Sequence, residues 1–117
     1  MVNYEVEFTD EFQYWWNSLS IAEQYSVQKS VLLLGARGPA LSRPHADTLK
    51  GSAFTNMKEL RVQHGGRPYR ILFAFDPRRC AMLLIGGDKT GKARWYDEMI
   101  PKADAIYAQH LRALEME

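Results

Sequence analysis

From Tyr4 to Phe8 the chain alternates apolar and charged residues, the mark of a short, half-buried strand. Thr9 follows as a helix N-cap, with Asp10 and Glu11 in a first turn that favours negative charge. Phe12, Trp15, Trp16 and Leu19 then recur at helical spacing. Ser20 restarts the pattern with Glu23 three positions on, a capping-box signature, and Ala22, Tyr25, Val27, Leu32 and Leu33 carry a second helix toward Gly35–Gly38. Two antiparallel helices joined by a very short turn are expected. Trp15 and Trp16 are consecutive, so only one can face a core squarely, and partial exposure is expected of the other.

Residues 38–56, with Gly38, Pro39, Pro44, Gly51 and several Ser and Thr, read as a long surface loop. Three strands should follow, over Met57–Val62, Tyr69–Phe75 and Ala81–Ile85. Gln63–Pro68 forms the first hairpin loop; Asp76-Pro77-Arg78-Arg79 forms the second, with Asp and Pro at favoured turn positions. The last two strands are apolar on both faces, so the sheet should be covered on both sides. After Gly86-Gly87 come a basic loop, Asp88–Arg94, and a C-terminal helix with a stripe of Trp95, Met99, Ala103, Ile106, Tyr107 and Leu111. Pro101 should mark a break or first turn there rather than a helix interior. The expected order is β-α-α-β-β-β-α, an α+β layer fold in a single domain over residues 1–117.

Net charge is +1 over 117 residues, but it is unevenly divided. Residues 1–30 carry -4, residues 31–56 +2, residues 57–96 +6 and the last 21 residues -3. A basic middle between acidic ends points toward a polyanionic partner. The lone cysteine, Cys80, excludes an intramolecular disulfide and reads as a small buried hydrophobe. The opening Val2–Phe8 is polar rather than a secretory leader, and the apolar run Val31–Leu34 is far short of the ~18 residues of a membrane span. The expected compartment is the cytoplasm.

Several chemistries find no residues. Gly86-Gly87-Asp88-Lys89-Thr90-Gly91 lacks the glycine spacing of a phosphate-binding P-loop. His45, His64 and His110 show no metal-ligand spacing, and no nucleophile elbow is present. Neither a metal nor another cofactor is expected. What remains is arginine and lysine on and around strands. Arg61 ends one strand and Arg70 begins the next, so a hairpin can bring them together. Arg70 alternates with Leu72 and Ala74, opposite the bulky face of Tyr69, Ile71, Phe73 and Phe75. A guanidinium there must reach a cleft or pair with a carboxylate, and a cross-strand pair with Glu59 is the simplest structural explanation.

Lys58-Glu59-Leu60-Arg61, Arg67–Phe75, Leu84–Gly91 and Trp95-Tyr96, with Ile100–Asp104, Tyr107 and His110-Leu111, together resemble toxins of the RelE/ParE superfamily, closest to its phage-related HigB-like branch. The resemblance implies a RelE-like fold: a small, mainly antiparallel sheet, two N-terminal helices packed on it, and an open basic concavity. It implies a type II toxin–antitoxin toxin that acts as a metal-independent mRNA endoribonuclease on the ribosome and is neutralised by a cognate antitoxin, typically a helix-turn-helix DNA-binding protein. An exposed Trp15 or Trp16 could then meet that antitoxin. Carried over by position, Arg70 matches the strand arginine that stabilises the scissile phosphate, Tyr96 the terminal tyrosine, and Lys89 and Lys92 the basic loop, with Arg61 assisting. Lys58, His64, Arg67 and Arg94 are the expected RNA-binding residues.

Where some RelE proteins have a lysine two before the first strand's arginine, this chain has Glu59, and the neighbouring Lys58 faces the other side. Lys58, Lys89, Lys92, His64 and Tyr96 therefore compete for the proton transfers, with His64 a substitute base. Tyr96 could instead stack on an mRNA base, or simply pack the C-terminal helix on the sheet. The alternatives are a ParE-like inhibitor of gyrase that cuts no RNA, and a non-catalytic nucleic-acid- or antitoxin-binding module of the same fold. Arginines without an acidic partner would favour the enzyme, and Glu59 clamped on Arg70 the inert module.

Overall fold

A computed structural model describes residues 3–116; Met1, Val2 and Glu117 lie outside the described residues, and with them the first residue of the polar N-terminal stretch. Strand β1 (Val6–Phe8) leads to helix α1 (Asp10–Asn17) and helix α2 (Ile21–Arg37), followed by a 3-10 turn at Gly38–Ala40. Strands β2 (Ala46–Thr48), β3 (Lys58–His64), β4 (Arg67–Phe75) and β5 (Ala81–Asp88) precede helix α3 (Trp95–Glu115). Both predicted caps form. Thr9 accepts from the Phe12 amide, and Ser20 and Glu23 close a capping box.

The sheet runs β1-β5-β4-β3-β2, antiparallel except for the β1–β5 pair. One face buries Phe12, Val27 and Leu34 of α1 and α2 against Leu60, Tyr69, Ile71 and Phe73. The other buries Trp95, Ala103 and Tyr107 of α3 against Leu72, Ala74, Met82 and Leu84. The α+β class, the two N-terminal helices on the sheet and the covering of both faces are as the sequence predicts.

Four details differ. Residues 38–56 are not all loop, because Ala46–Thr48 pairs antiparallel with Lys58–Leu60 as an edge strand. Three residues held by backbone bonds leave no alternation to read. The first hairpin is tighter than six loop residues, since only Gly65 and Gly66, both at positive φ, lie between β3 and β4. Pro101 is inside α3 rather than at a break. Pro101 and Asp97 are both exposed, so the carbonyl deprived of its N–H partner can be hydrated. Lastly, Gly86 and Gly87 belong to β5, where two tryptophans press on its faces. A Cβ on Gly86 would lie 2.4 Å from the Trp15 ring, and one on Gly87 2.8 Å from Trp95 Nε1. Trp15 and Trp16 are both half-buried against the first core.

Candidate active site

The β3–β4 register sets Arg61 directly opposite Arg70. Alternation puts Glu59, Arg61 and Arg70 on the face that α3 covers. Two guanidinium groups side by side repel, and a sheet tolerates them only with a counter-charge. Glu59, 5% exposed, supplies it. Its Oε2 accepts from Arg61 Nε at 3.2 Å, while Arg61 also reaches Asp47 of β2 at 3.4 Å.

The first turn of α3 completes the group. Trp95 packs on Gly87, the cross-strand neighbour of Arg70, and the next residue, Tyr96, donates its hydroxyl to Glu59 Oε1 at 2.5 Å. Burial raises the Tyr96 pKa above its ordinary value, and the bond to Glu59 adds to this, partly opposed by Arg70. The phenol therefore keeps its proton at neutral pH. Arg70 Nε lies 3.5 Å from Glu59 Oε1 but makes no hydrogen bond, and Arg70 Nη1 donates to the Tyr69 carbonyl at 2.9 Å. Glu59 thus neutralises Arg70 without engaging its fork bidentately.

Arg61, Arg70 and Lys89 line an open cleft of about 540 Å³, together with Gln63, Pro68 and residues of α2 and the segment before β2. The Lys89 ammonium sits 5.0 Å from the centre of the Tyr96 ring, and Trp95 meets that ring edge-on. Stacking of a base on the Lys89 side of Tyr96 requires the lysine to move aside.

Arg61, Arg70, Lys89 and Tyr96 are therefore brought together as expected. The others are not. Lys92 is exposed in the loop, where its charge helps hold the Asp88 carboxyl below its ordinary range after the bonds from Thr90 and the charge of Arg67. Arg94 is exposed and pairs with Asp97 at 3.6 Å. Arg67 is shared between Asp88 at 3.3 Å and Glu23 at 3.6 Å, over the Tyr69 ring. Lys58 and His64 lie on the other face of β3, and His64 Nδ1 is 2.7 Å from Ser26 Oγ of α2. The substitute-base role for His64 fails on this geometry, because strand alternation turns it away from Arg61 and Arg70.

Glu59, expected as a departure from the family pattern or as a quenching partner, sits at the centre of the group. Its signal was present: an acid two positions from Arg61 must share that residue's face. Glu5, Glu7 and Cys80 also meet within 4.8 Å, but burial pushes the Cys80 thiol up to about 11 and Arg78 already holds Glu7. No helix among the described residues is long and apolar enough to cross a membrane.

Residues 14–108 match the family model described as phage derived protein Gp49-like. HigB2 of Mycobacterium tuberculosis, described as a candidate toxin, is 46% identical over 103 residues, which are 86% of this chain and 51% of that protein. HigB3 of the same organism, also described as a candidate toxin, is 50% identical over 91 residues, 77% of this chain and 78% of that one. The chain thus spans about half the length of the first relative. Among solved structures, a mutant of the E. coli toxin RelE in the free state superposes with TM-score 0.63 at 13% identity, covering 86% of this chain and 98% of that one. RelE of the archaeal RelE–RelB complex from Pyrococcus horikoshii gives 0.57 at 17% identity, covering 79% and 100%. These two likenesses concern the fold.

Proposed function

The chain belongs to the phage-derived Gp49-like family, of the RelE/HigB type, and from that premise we propose that it is the toxin of a type II toxin–antitoxin pair and cuts mRNA as a metal-independent, ribosome-dependent endoribonuclease. The observation that carries this reading is the convergence of Arg61, Arg70, Glu59 and Tyr96 beside an open basic cleft.

Cleavage of this kind needs a base for the ribose 2′-OH, a counter-charge for the phosphorane and an acid for the departing 5′ oxygen. Glu59 is the base that best fits the geometry. As the 2′ oxygen bonds to phosphorus, its proton passes to the carboxylate, and the P–O5′ bond breaks. The products are a 2′,3′-cyclic phosphate and a 5′-OH, whose proton comes from the Lys89 ammonium. Arg70, with Arg61, holds the non-bridging oxygens by a planar fork that never loses its charge. Tyr96, kept protonated, orients Glu59 and donates to the phosphate when the carboxylate turns to the ribose. A ribosome that presents mRNA in line would leave the toxin only modest acid–base work. Lys92, Arg94 and Arg67, outside the centre, would contact flanking RNA, while Lys58 and His64, on the far face of β3, would do so only on a path that leaves the cleft. A cognate antitoxin, of helix-turn-helix type, is the partner that this reading implies, and the cytoplasm is the compartment.

A second reading has its own observation. Neither arginine is without an acidic partner, and the contacts of Glu59 with both favour a module that grips phosphates without cutting. Primer extension on mRNA after induction separates the two: wild type should create new ends, and Arg70→Ala should not. Growth arrest without new ends, or full cleavage by the mutant, would overturn the ribonuclease assignment; the first result would also open the gyrase alternative.

A further inference from the structure

The cleft continues past the proposed chemical centre. β2 pairs with Lys58–Leu60 and the His45 carbonyl still takes the Arg61 amide at 2.8 Å, so among the described residues no strand covers the outer edge of β3 from Val62 onward. There the cleft turns over the sheet edge at Arg61 and Gln63 and ends against Ser26, Lys29 and Ser30 of α2 and against Pro44 and His45. Among the described residues no Asp or Glu lines it. Ser26, Lys29 and Ser30 lie at i, i+3 and i+4, a polar stripe on one side of a helix that buries Val27 and Leu34. Lys29 is also the single base among the first 30 residues, which hold five acids, and among the described residues it makes no ion pair. A cleft of about 540 Å³ has the size of a ligand site (~300–1,000 Å³) and exceeds the needs of one phosphate.

We propose that Lys29, with Ser26, Ser30 and His45, forms a second phosphate subsite that holds the backbone of the nucleotide next to the scissile one. The strand would pass over the open edge of β3, between Arg61 and α2. Single-stranded RNA suits such a path because its backbone bends freely and a basic groove can track it without reading sequence. The inference rests on the ribonuclease reading for its ligand class, but it concerns binding and not cleavage.

The probe is a fluorescent, fully 2′-O-methylated pentanucleotide, which cannot be cut by 2′-OH attack, titrated with the full chain at several salt concentrations. Lys29→Ala should weaken binding about five- to tenfold at low salt and flatten the log–log salt slope by about 0.7, one single-strand phosphate contact. The unlabelled dinucleotide, with one phosphate, should compete equally well against both proteins. Lys102→Ala, an exposed lysine on α3, should leave affinity and slope at the wild-type values. An unchanged slope in Lys29→Ala, or an equal loss toward the dinucleotide, overturns the subsite. So does binding of an acidic peptide in place of the oligonucleotide, which would assign the groove to a protein segment. Wild type that binds as described but makes no mRNA ends removes the ribonuclease reading and leaves the subsite. Lys29→Ala that binds as wild type while mRNA is still cut does the reverse.

Discussion

Two carboxylates, Glu59 and Asp76, are the buried acids among the described residues, at 5% and 4% exposure; both lie away from the Gly65-Gly66 turn, Glu59 on β3 opposite Leu72 and Asp76 just past the end of β4. Asp76 is fully served. Its Oδ1 accepts the amides of Arg78 and Cys80 at 2.9 and 3.3 Å. Its Oδ2 accepts Arg78 Nη2 at 2.7 Å and Nε at 3.1 Å, and lies 2.9 Å from His110 Nε2. Burial alone would raise its pKa, but Arg78 and His110 outweigh it and hold the carboxyl below its ordinary value. Glu59 has Tyr96 and Arg61, and beside it one buried Arg70 nitrogen without an acceptor. The first arrangement ties the β4–β5 turn to the C-terminal part of α3. The second leaves binding capacity unspent next to an open cleft. Incomplete satisfaction, rather than burial or charge, separates a site from a staple.

The largest effect that sharpens this contrast is expected at the staple. Asp76→Ala leaves His110 and the buried Cys80 amide without their acceptor, while Arg78 keeps Glu7, and should cost about 3–5 kcal/mol, a fall of about 12–20 °C in Tm by calorimetry. Loss of less than about 1 kcal/mol would break the comparison. Arg70→Ala should lower the cleavage rate by about 10²–10³-fold, the scale for one preorganised donor to a charged transition state. Its chemical denaturation midpoint should move little, because among the described residues Arg70 makes one hydrogen bond, to a backbone carbonyl, and Glu59 keeps Arg61 as its cationic partner. Tyr96→Phe should be milder, about tenfold in single-turnover cleavage, since it removes an orienting bond and keeps the ring packing of α3.

The smallest effect tests a third acid. Glu23 caps α2 and accepts from the Tyr69 hydroxyl; that bond, then the Ser20 amide, lowers its pKa to about 2, and burial with the Glu23 bond pushes Tyr69 up to about 12. A depressed folded pKa gives stability that is present above the unfolded value near 4.5 and lost as pH falls toward 2. Glu23→Gln should cost about 1–2 kcal/mol at pH 7, and the gap to wild type should close in urea melts between pH 4.5 and 2. A gap that stays constant with pH would show that the carboxylate charge contributes nothing.

Much of the architecture was legible because it rests on local physics. Thr9 and Ser20 announce two helices through the amides they must satisfy, and the alternation of β4 sorts Arg70 from Tyr69 and Ile71 without any tertiary information. Asp76-Pro77 announces its own turn. What stayed hidden depends on partners distant in sequence. β2 exists only because β3 offers it an edge, and Gly86-Gly87 looks like loop until Trp15 and Trp95 arrive from two helices. The candidate site divides in the same way. Arg61 and Arg70 follow from strand parity, whereas the role of Glu59 needs Tyr96, 37 residues away, to dock against it.

The most direct test of the difference between the two buried acids is the cleavage rate of Glu59→Gln, measured on samples whose folded fraction is fixed by a denaturant melt. The substitution keeps the size of the side chain and an acceptor for Tyr96, and removes the charge and the base. The expected result is a loss of at least about 100-fold in cleavage with a stability loss of about 1–2 kcal/mol, smaller than that of Asp76→Ala because Asp47 keeps a counter-charge on Arg61. Cleavage at the wild-type rate, or a loss of stability as large as that of Asp76→Ala, would contradict the assignment of Glu59 to chemistry rather than to the fold.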